Sequence, residues 1–434
     1  MVRSVATYTL GCRVNQYETD AVVDLFKEAG YEIKSFDECA DIYIINTCTV
    51  TSLSDRKSRQ IIRRCKRNNK DAITVVMGCY AQAKPDEVSN IYGVDIVIGN
   101  SNKSKIVGYI EEYIKNREKK KIISNIMNAR EYDNLSIRDC GERTRAFIKI
   151  QDGCNNFCSY CIIPYVRGPV RSKKVAQVID EVKNLASRGY KEVVLTGIHA
   201  ASYGKDLKDV DLVDLVYEVY KIDGIERIRF GSLEPGIVDD RFIKMFKELS
   251  SKVCNHLHLS LQSGCDETLK RMNRKYTKDM YRDVVNLLRD NVVGILLSTD
   301  VIVGFPGETE DEFKKTLSFL EEINFYKIHV FKYSKRDGTR AAVMPDQVLD
   351  EIKEKRSEDL IKLSNSGTIK YNNSYLGKKA SVLIERKLDS GYYEGLTSNY
   401  IRVLVDSINK LKKGEIYNIY LKKVEGNSII GNII

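Results

Sequence analysis

The segment Cys154-Asn-Asn-Phe-Cys158-Ser-Tyr-Cys161 sets three thiols at spacings of four and three within one short stretch. Thiolates so spaced can converge from a single loop on a cube-shaped iron–sulfur cluster. A structural zinc site would add a fourth Cys or His at fixed spacing, and no histidine lies between Cys161 and His199. Three ligands leave one iron open, which is what a cluster that binds substrate requires. The stretch also holds Asp152, Gly153 and two asparagines, a poor composition for three unrelated core cysteines.

A second set is separated in sequence. Cys12, Cys48 and Cys79 each follow an apolar run (5–10, 41–45, 73–77) by two or three residues. If those runs are neighbouring parallel strands, ligands bind outside their carboxyl ends, and three such cysteines can meet there. Any one of them could be a buried cysteine at a strand end; three at equivalent places favour a second metal site. Cys39, Cys65, Cys140, Cys254 and Cys265 lack partners at ligand spacing and read as small buried hydrophobes. His256 and His258, two apart on one expected strand, can share a face, although packed, hydrogen-bonded imidazoles are the plainer reading.

The elements that must position these thiols follow from hydrophobic period. At 434 residues the chain is too long for one ordinary core. Up to residue 120, the three runs above and a fourth at 95–98 alternate with amphipathic segments at 19–29, 52–67 and 104–115. That alternation predicts βαβ units, a doubly wound parallel sheet, ending in a basic helix end or linker at 116–121. Between 140 and 345 six further βα units predict a partial, open barrel, with strands at 146–150, 192–195, 227–230, 256–261, 296–303 and 327–331. A charged helical connector (346–365) leads to period-two strands at 380–384, 401–406, 416–422 and 428–430, a small all-β barrel over 366–434. The fold class is therefore α/β with a terminal β-barrel.

Composition limits what such a chain can do. Apolar residues make up 43% and charged residues 30%, which fits a folded chain. The first residues lack the apolar core of a signal peptide, and no run reaches the roughly 18 apolar residues of a membrane helix. The expected place is the cytosol, where eleven cysteines stay reduced. The net charge of +10 suits an anionic partner or simply solubility. Residues 366–434 hold eleven Lys or Arg against six Asp or Glu. There Lys378, Lys379, Arg386, Lys387, Arg402, Lys412 and Lys413 could meet phosphates, and Tyr392, Tyr393 and Tyr400 could stack on bases. The plainer reading is edge-protecting lysines and core tyrosines.

With both cysteine sets placed, the sequence resembles the methylthiotransferase family of radical S-adenosylmethionine enzymes along nearly its whole length. Thr9-Leu-Gly-Cys-Arg-Val-Asn-Gln-Tyr-Glu-Thr19 and Leu195-Thr-Gly-Ile-His199 resemble the branch that acts on threonylcarbamoyladenosine next to the anticodon of tRNA. The resemblance implies two 4Fe-4S clusters: one on Cys154, Cys158 and Cys161 that cleaves S-adenosylmethionine, and one on Cys12, Cys48 and Cys79 that handles sulfur. It implies a terminal RNA-binding TRAM-like domain, a methylthio product at carbon 2 of adenine, a reduced electron donor of flavodoxin or ferredoxin type, and a sulfur donor left unspecified. It places Thr196, Gly197, Gln262, Ser263, Asp300 and Gly304 near S-adenosylmethionine. Gly304-Phe-Pro-Gly-Glu308 could equally be only a strand–helix turn. Two neighbouring readings are an isopentenyladenosine tRNA methylthiotransferase and a ribosomal-protein aspartate methylthiotransferase. A third, of another class, is a zinc-containing RNA-binding scaffold. A threonylcarbamoyl carboxylate would need a cation, for which Arg13 and Arg167 are candidates.

Overall fold

The computed structural model describes residues 3–141, 143–407 and 410–434. The first unit is a six-stranded sheet in the order β2-β1-β3-β4-β5-β6, every pair parallel. Its strands are β1 (Ser4–Thr9), β2 (Glu32–Lys34), β3 (Ile42–Thr47), β4 (Ile73–Gly78), β5 (Ile96–Ile98) and β6 (Lys120–Ile122). Alternate residues of β3 and β4 enter two cores. Ile44 and Val75 meet Val22 and Phe26 of the helix Arg13–Glu28, and Ile45 and Val76 meet Ile62 and Cys65 of the helix Ser52–Asn68. Burial on both faces explains why these strands read as continuous apolar runs. The order reverses between β1 and β3, which makes the crevice beyond their carboxyl ends the natural ligand position of the sheet. The stretch at 116–121 is not a helix end or linker throughout. The helix stops at Asn116 and Lys120 opens the edge strand β6, where lysines guard an unpaired border.

Residues 145–332 form the curved wall of an open barrel. One sheet runs β10-β9-β7-β8, from β7 (Arg145–Asp152), β8 (Arg171–Ser172), β9 (Glu192–Gly197) and β10 (Arg227–Phe230), with only β8 antiparallel. The other runs β11-β12-β13-β14, all parallel, from β11 (Ser232–Leu233), β12 (His256–Leu259), β13 (Leu296–Val303) and β14 (Lys327–Lys332). The helix Arg13–Glu28 belongs to two cores at once, since its Tyr17 and Ala21 pack into the barrel's own cluster. The first unit is thereby fixed against the second.

The helix Asp350–Ser374 follows and lies along β14, with Ser364 and Thr368 hydroxyls bonded to the carbonyls of Ile328 and Tyr326. It runs past residue 366. A closed barrel then follows in the order β15-β16-β17-β19-β18, from β15 (Lys379–Lys387), β16 (Tyr393–Thr397), β17 (Arg402–Asp406), β18 (Ile416–Glu425) and β19 (Ser428–Ile433). Sequence period gives four of these strands and misses β16. Its Gly395 breaks the apolar alternation, yet a Cβ there would sit 2.3 Å from the Leu383 carbonyl of β15. Among the described residues no helix is long and apolar enough to cross a membrane.

Candidate active site

The Cys154–Cys161 loop leaves the carboxyl end of β7 and is tied on both flanks. The Cys154 amide donates to the Gly168 carbonyl at 3.0 Å, and the Ser159 amide to the Met272 carbonyl at 2.9 Å. Burial, reinforced by neighbouring thiols, pushes Cys161 up to about 12, and burial pushes Cys154 up to about 11. Arg274 faces this set: its Nη1 lies 3.2 Å from Cys158 Sγ and its Nη2 2.7 Å from Glu234. Glu234 also accepts from Asn156 and His199, each at 2.9 Å. Burial works against its charge, but the His199 hydrogen bond and the Arg274 charge hold its carboxyl down at about 2. A fixed cation beside three thiols whose protons a metal would displace is a fitting cradle for an anionic cluster.

In the first unit, Cys12 precedes the helix Arg13–Glu28, Cys48 follows β3, and Cys79 opens the short helix after β4. Gly11 adopts φ +105°, and a Cβ on it would come within 2.7 Å of Cys48 Cβ, so only glycine allows the two turns to approach. Asn100 Nδ2 lies 3.5 Å from Cys79 Sγ and the Val50 amide 3.5 Å from Cys48 Sγ. Burial, with Cys79 and Cys12 alongside, pushes Cys48 up to about 11.

Behind this set lies a network that sequence reading missed. Arg167, 0% exposed, donates to Glu18 at 2.9 Å, Asp152 at 3.0 Å and Asn15 at 2.6 Å. Lys103 and Lys149 also reach Glu18 at 2.8 Å, and Arg171 reaches Asp152 at 3.6 Å. Burial would raise Glu18, but Arg167, Lys103 and Lys149 hold it well below the usual carboxylate range. Four buried cations thus face two carboxylates. The surplus of positive charge beside Cys12 and Cys79 suits a negatively charged cluster on the thiolates. No spacing rule points to these residues, because their partners lie up to 152 positions apart.

One cavity of about 610 Å³ gathers the chemistry. Cys12 reaches it from the first set, with Cys154, Cys158 and Cys161 from the second. Thr196, Gly197, Gln262 and Asp300 line it, as do all four histidines. His258 pairs with Asp300 at 3.1 Å, and His256 and His258 share the Ser298 hydroxyl at 3.0 Å. Ser263 and Gly304 do not line it. Ser263 is buried against Thr316 at 3.1 Å, and Gly304 forms the turn in which its amide meets Glu308, itself paired with Arg356 at 2.8 Å. The Ser263 hydroxyl turns into the core and the Gly304 backbone turns toward Glu308, so neither faces this cavity.

The cavity runs down to the barrel's amino-terminal end, where Tyr400 closes it. This residue, at φ +74°, stacks on His256 with centroids 4.7 Å apart, and Arg229 lies over its ring at 4.8 Å. Arg227 and Arg229 donate to carbonyls of Ser381, Leu396, Thr397 and Ser398, fastening the terminal barrel there. Tyr400 is therefore committed to this seam rather than free to stack on RNA, and Tyr393 is a core residue of the small barrel. Lys378, Lys379, Arg386, Lys387, Arg402, Lys412 and Lys413 are all exposed; Arg386 and Arg402 share Glu394 at 2.9 Å.

Comparison with known proteins bears on this geometry. The model of the Radical SAM superfamily matches residues 148–320, and that of the uncharacterized protein family UPF0004 matches 4–99. The threonylcarbamoyladenosine tRNA methylthiotransferase MtaB of Bacillus subtilis is 46% identical over 422 residues, 95% of this chain and 93% of that protein. The chain belongs to the radical S-adenosylmethionine methylthiotransferase family. MtaB of Thermotoga maritima is 34% identical over 99% of this chain and 96% of its own. The tRNA-2-methylthio-N(6)-dimethylallyladenosine synthase of Clostridium novyi is 38% identical over 98% and 95%. The methyltransferase TsrM from Kitasatospora setae, solved with cobalamin and a [4Fe-4S] cluster, shares the fold at 16% identity, with a TM-score of 0.59 over 79% of this chain and 77% of that one. The family's enzymes use S-adenosylmethionine and carry two iron–sulfur clusters.

Proposed function

We propose that this radical S-adenosylmethionine enzyme converts N6-threonylcarbamoyladenosine next to the tRNA anticodon to its 2-methylthio derivative. The observation that carries the reading is the single cavity reached by cysteines of both sets. In it Cys154, Cys158 and Cys161 would hold the cluster that binds S-adenosylmethionine, and Cys12, Cys48 and Cys79 the second cluster. Reductive cleavage of S-adenosylmethionine and handling of sulfur are the chemistry these groups supply when bound. Carbon 2 of adenine bears no acidic proton, so a radical route is chemically apt. Thr196, Gly197, Gln262 and Asp300 would position S-adenosylmethionine at the strands' carboxyl ends. Lys378, Lys379, Lys387, Lys412 and Lys413 would meet tRNA phosphates, with Arg386 and Arg402 held by Glu394 as a preset pair. A reduced flavodoxin- or ferredoxin-type protein would supply electrons.

The substrate's carboxylate selects among the cavity's cations. Arg145 is paired with Glu385, Arg229 with Glu192 and Arg274 with Glu234, and Arg167 is buried in its own network. Arg13 lines the cavity next to Cys12, exposed, 4.7 Å over the Phe147 ring, with no carboxylate partner among the described residues. It would receive the threonylcarbamoyl carboxylate. The test offers the reconstituted enzyme tRNA bearing threonylcarbamoyladenosine or isopentenyladenosine and reads the nucleosides by mass spectrometry. Methylthio product is expected from the first. Arg13→Gln should cost about 10- to 100-fold in kcat/KM on it, the size of a missing charged hydrogen bond. Product from the isopentenyl tRNA alone overturns the reading.

A further inference from the structure

The helix Ser52–Asn68 carries a groove that neither cysteine set uses. Five of its basic side chains, together with Lys70, line a depression of about 900 Å³, and no acidic residue is among the lining. Two of the six cations are balanced at the edges, Arg59 by Glu87 at 3.1 Å and Lys66 by Asp95 at 3.4 Å. Arg56, Arg63, Arg67 and Lys70 are exposed and have no ion pair among the described residues. On the helix, Arg56, Arg63 and Arg67 stand seven and four positions apart, so they share one face and span about 16 Å of its axis. Arg63 and Arg67, four positions apart on that face, repel one another. A helix that needed only solubility would mix the two signs.

Two further observations identify the partner. Tyr92 lines the same groove and is 85% exposed, an aromatic face among cations. The helix begins two residues after Val50, which lines the reaction cavity, so the basic row leads away from the cavity's rim. Cations tracking a groove beside an open aromatic ring are the features by which proteins hold single-stranded nucleic acid backbones and stack their bases.

We propose that this groove is a second binding surface for the tRNA sugar–phosphate backbone, on the first domain and separate from the terminal barrel. The proposal rests on the reading of tRNA as substrate. An acidic protein would be drawn to the same charges, but it would have no use for the exposed ring or for the continuity with the cavity.

The test uses the reconstituted full-length enzyme and substrate tRNA. In the triple variant Arg63→Gln, Arg67→Gln, Lys70→Gln the altered side chains are exposed and unpaired, so the fold should stand. The salt dependence of tRNA affinity, log against log, should become shallower by about two to three, at roughly 0.7–0.9 for each phosphate no longer neutralised. Affinity at about 0.1 M salt should fall about tenfold or more, with KM for tRNA rising and kcat held. Tyr92→Ala should weaken affinity while leaving the salt slope in place. Cleavage of S-adenosylmethionine under a chemical reductant should match the parent. Unchanged tRNA affinity and slope in the triple variant overturn the proposal. So does a variant that binds tRNA normally but cleaves S-adenosylmethionine slowly when a reduced flavodoxin delivers the electron, for the groove would then be that donor's dock. Binding is read without turnover, so a parent enzyme that holds tRNA through this groove yet makes no methylthio product would overturn the functional reading alone.

Discussion

Glu192, fully buried at the start of β9, sits among Arg229, Arg227 and Arg145 at the seam with the terminal barrel. Burial alone would raise its carboxyl, but the charge and hydrogen bond of Arg229, with Arg145 and Arg227 beyond, hold it below its ordinary 4.5. A carboxyl lowered on folding stabilises the protein above its unfolded value, and that stability fades as pH falls through the folded one. Glu192→Gln, which leaves buried guanidinium groups unpaired, should cost about 3–5 kcal/mol at neutral pH. The gap between parent and variant melting midpoints should narrow as pH drops below about 4.5. A gap that persists undiminished to about pH 3 would mean the carboxylate's charge does nothing at the seam. At this scale the sequence is uneven in what it reveals. Cys154, Cys158 and Cys161 stand out by type and spacing together, whereas Cys12, Cys48 and Cys79 stand out only by their shared place just after strands. Ser263 and Gly304 lie near strand ends without lining the cavity, because a strand end fixes a position but not a direction. The histidines read as packing because a hydrogen-bonded imidazole and a cavity-lining one have the same sequence signature.

At the level of elements, strand ends do the positioning. The parallel order of β1, β3 and β4 brings Cys12, Cys48 and Cys79 to one edge of the sheet, and Arg167 ties that edge to the loop after β7. Two cradles built on separate elements should load separately. Reconstitution should give about eight irons per chain, on the inference of two four-iron clusters. Replacing Cys154, Cys158 and Cys161 by Ala should remove about half, as should replacing Cys12, Cys48 and Cys79. The second variant should still cleave S-adenosylmethionine while making no methylthio product. Full iron in either variant, measured by metal analysis, would refute the two-cradle arrangement. Most elements are readable because both-face burial writes itself as apolar runs. β6 is hidden by its lysines and β16 by its glycine, each a residue whose place depends on a neighbour distant in sequence.

Across the whole molecule, the terminal barrel and the reaction cavity share a wall. Tyr400 belongs to the first by chain position and to the second by contact. Tyr400→Ala should leave the exposed lysines and tRNA affinity untouched while opening the cavity's base. The expected signature is more S-adenosylmethionine consumed per methylthio group installed, since an unsealed site loses its reactive species to side reactions. An unchanged ratio would make the tyrosine mere filling. Sequence period could count the three units but could not see this joint, which depends on a left-handed turn between two strands of one unit meeting a histidine of another. The joint also constrains descent. A terminal domain that doubles as a stopper cannot be exchanged freely for another small barrel, because the newcomer would have to bring a plug of the same shape. The barrel and the cavity it stops must therefore change together, or not at all.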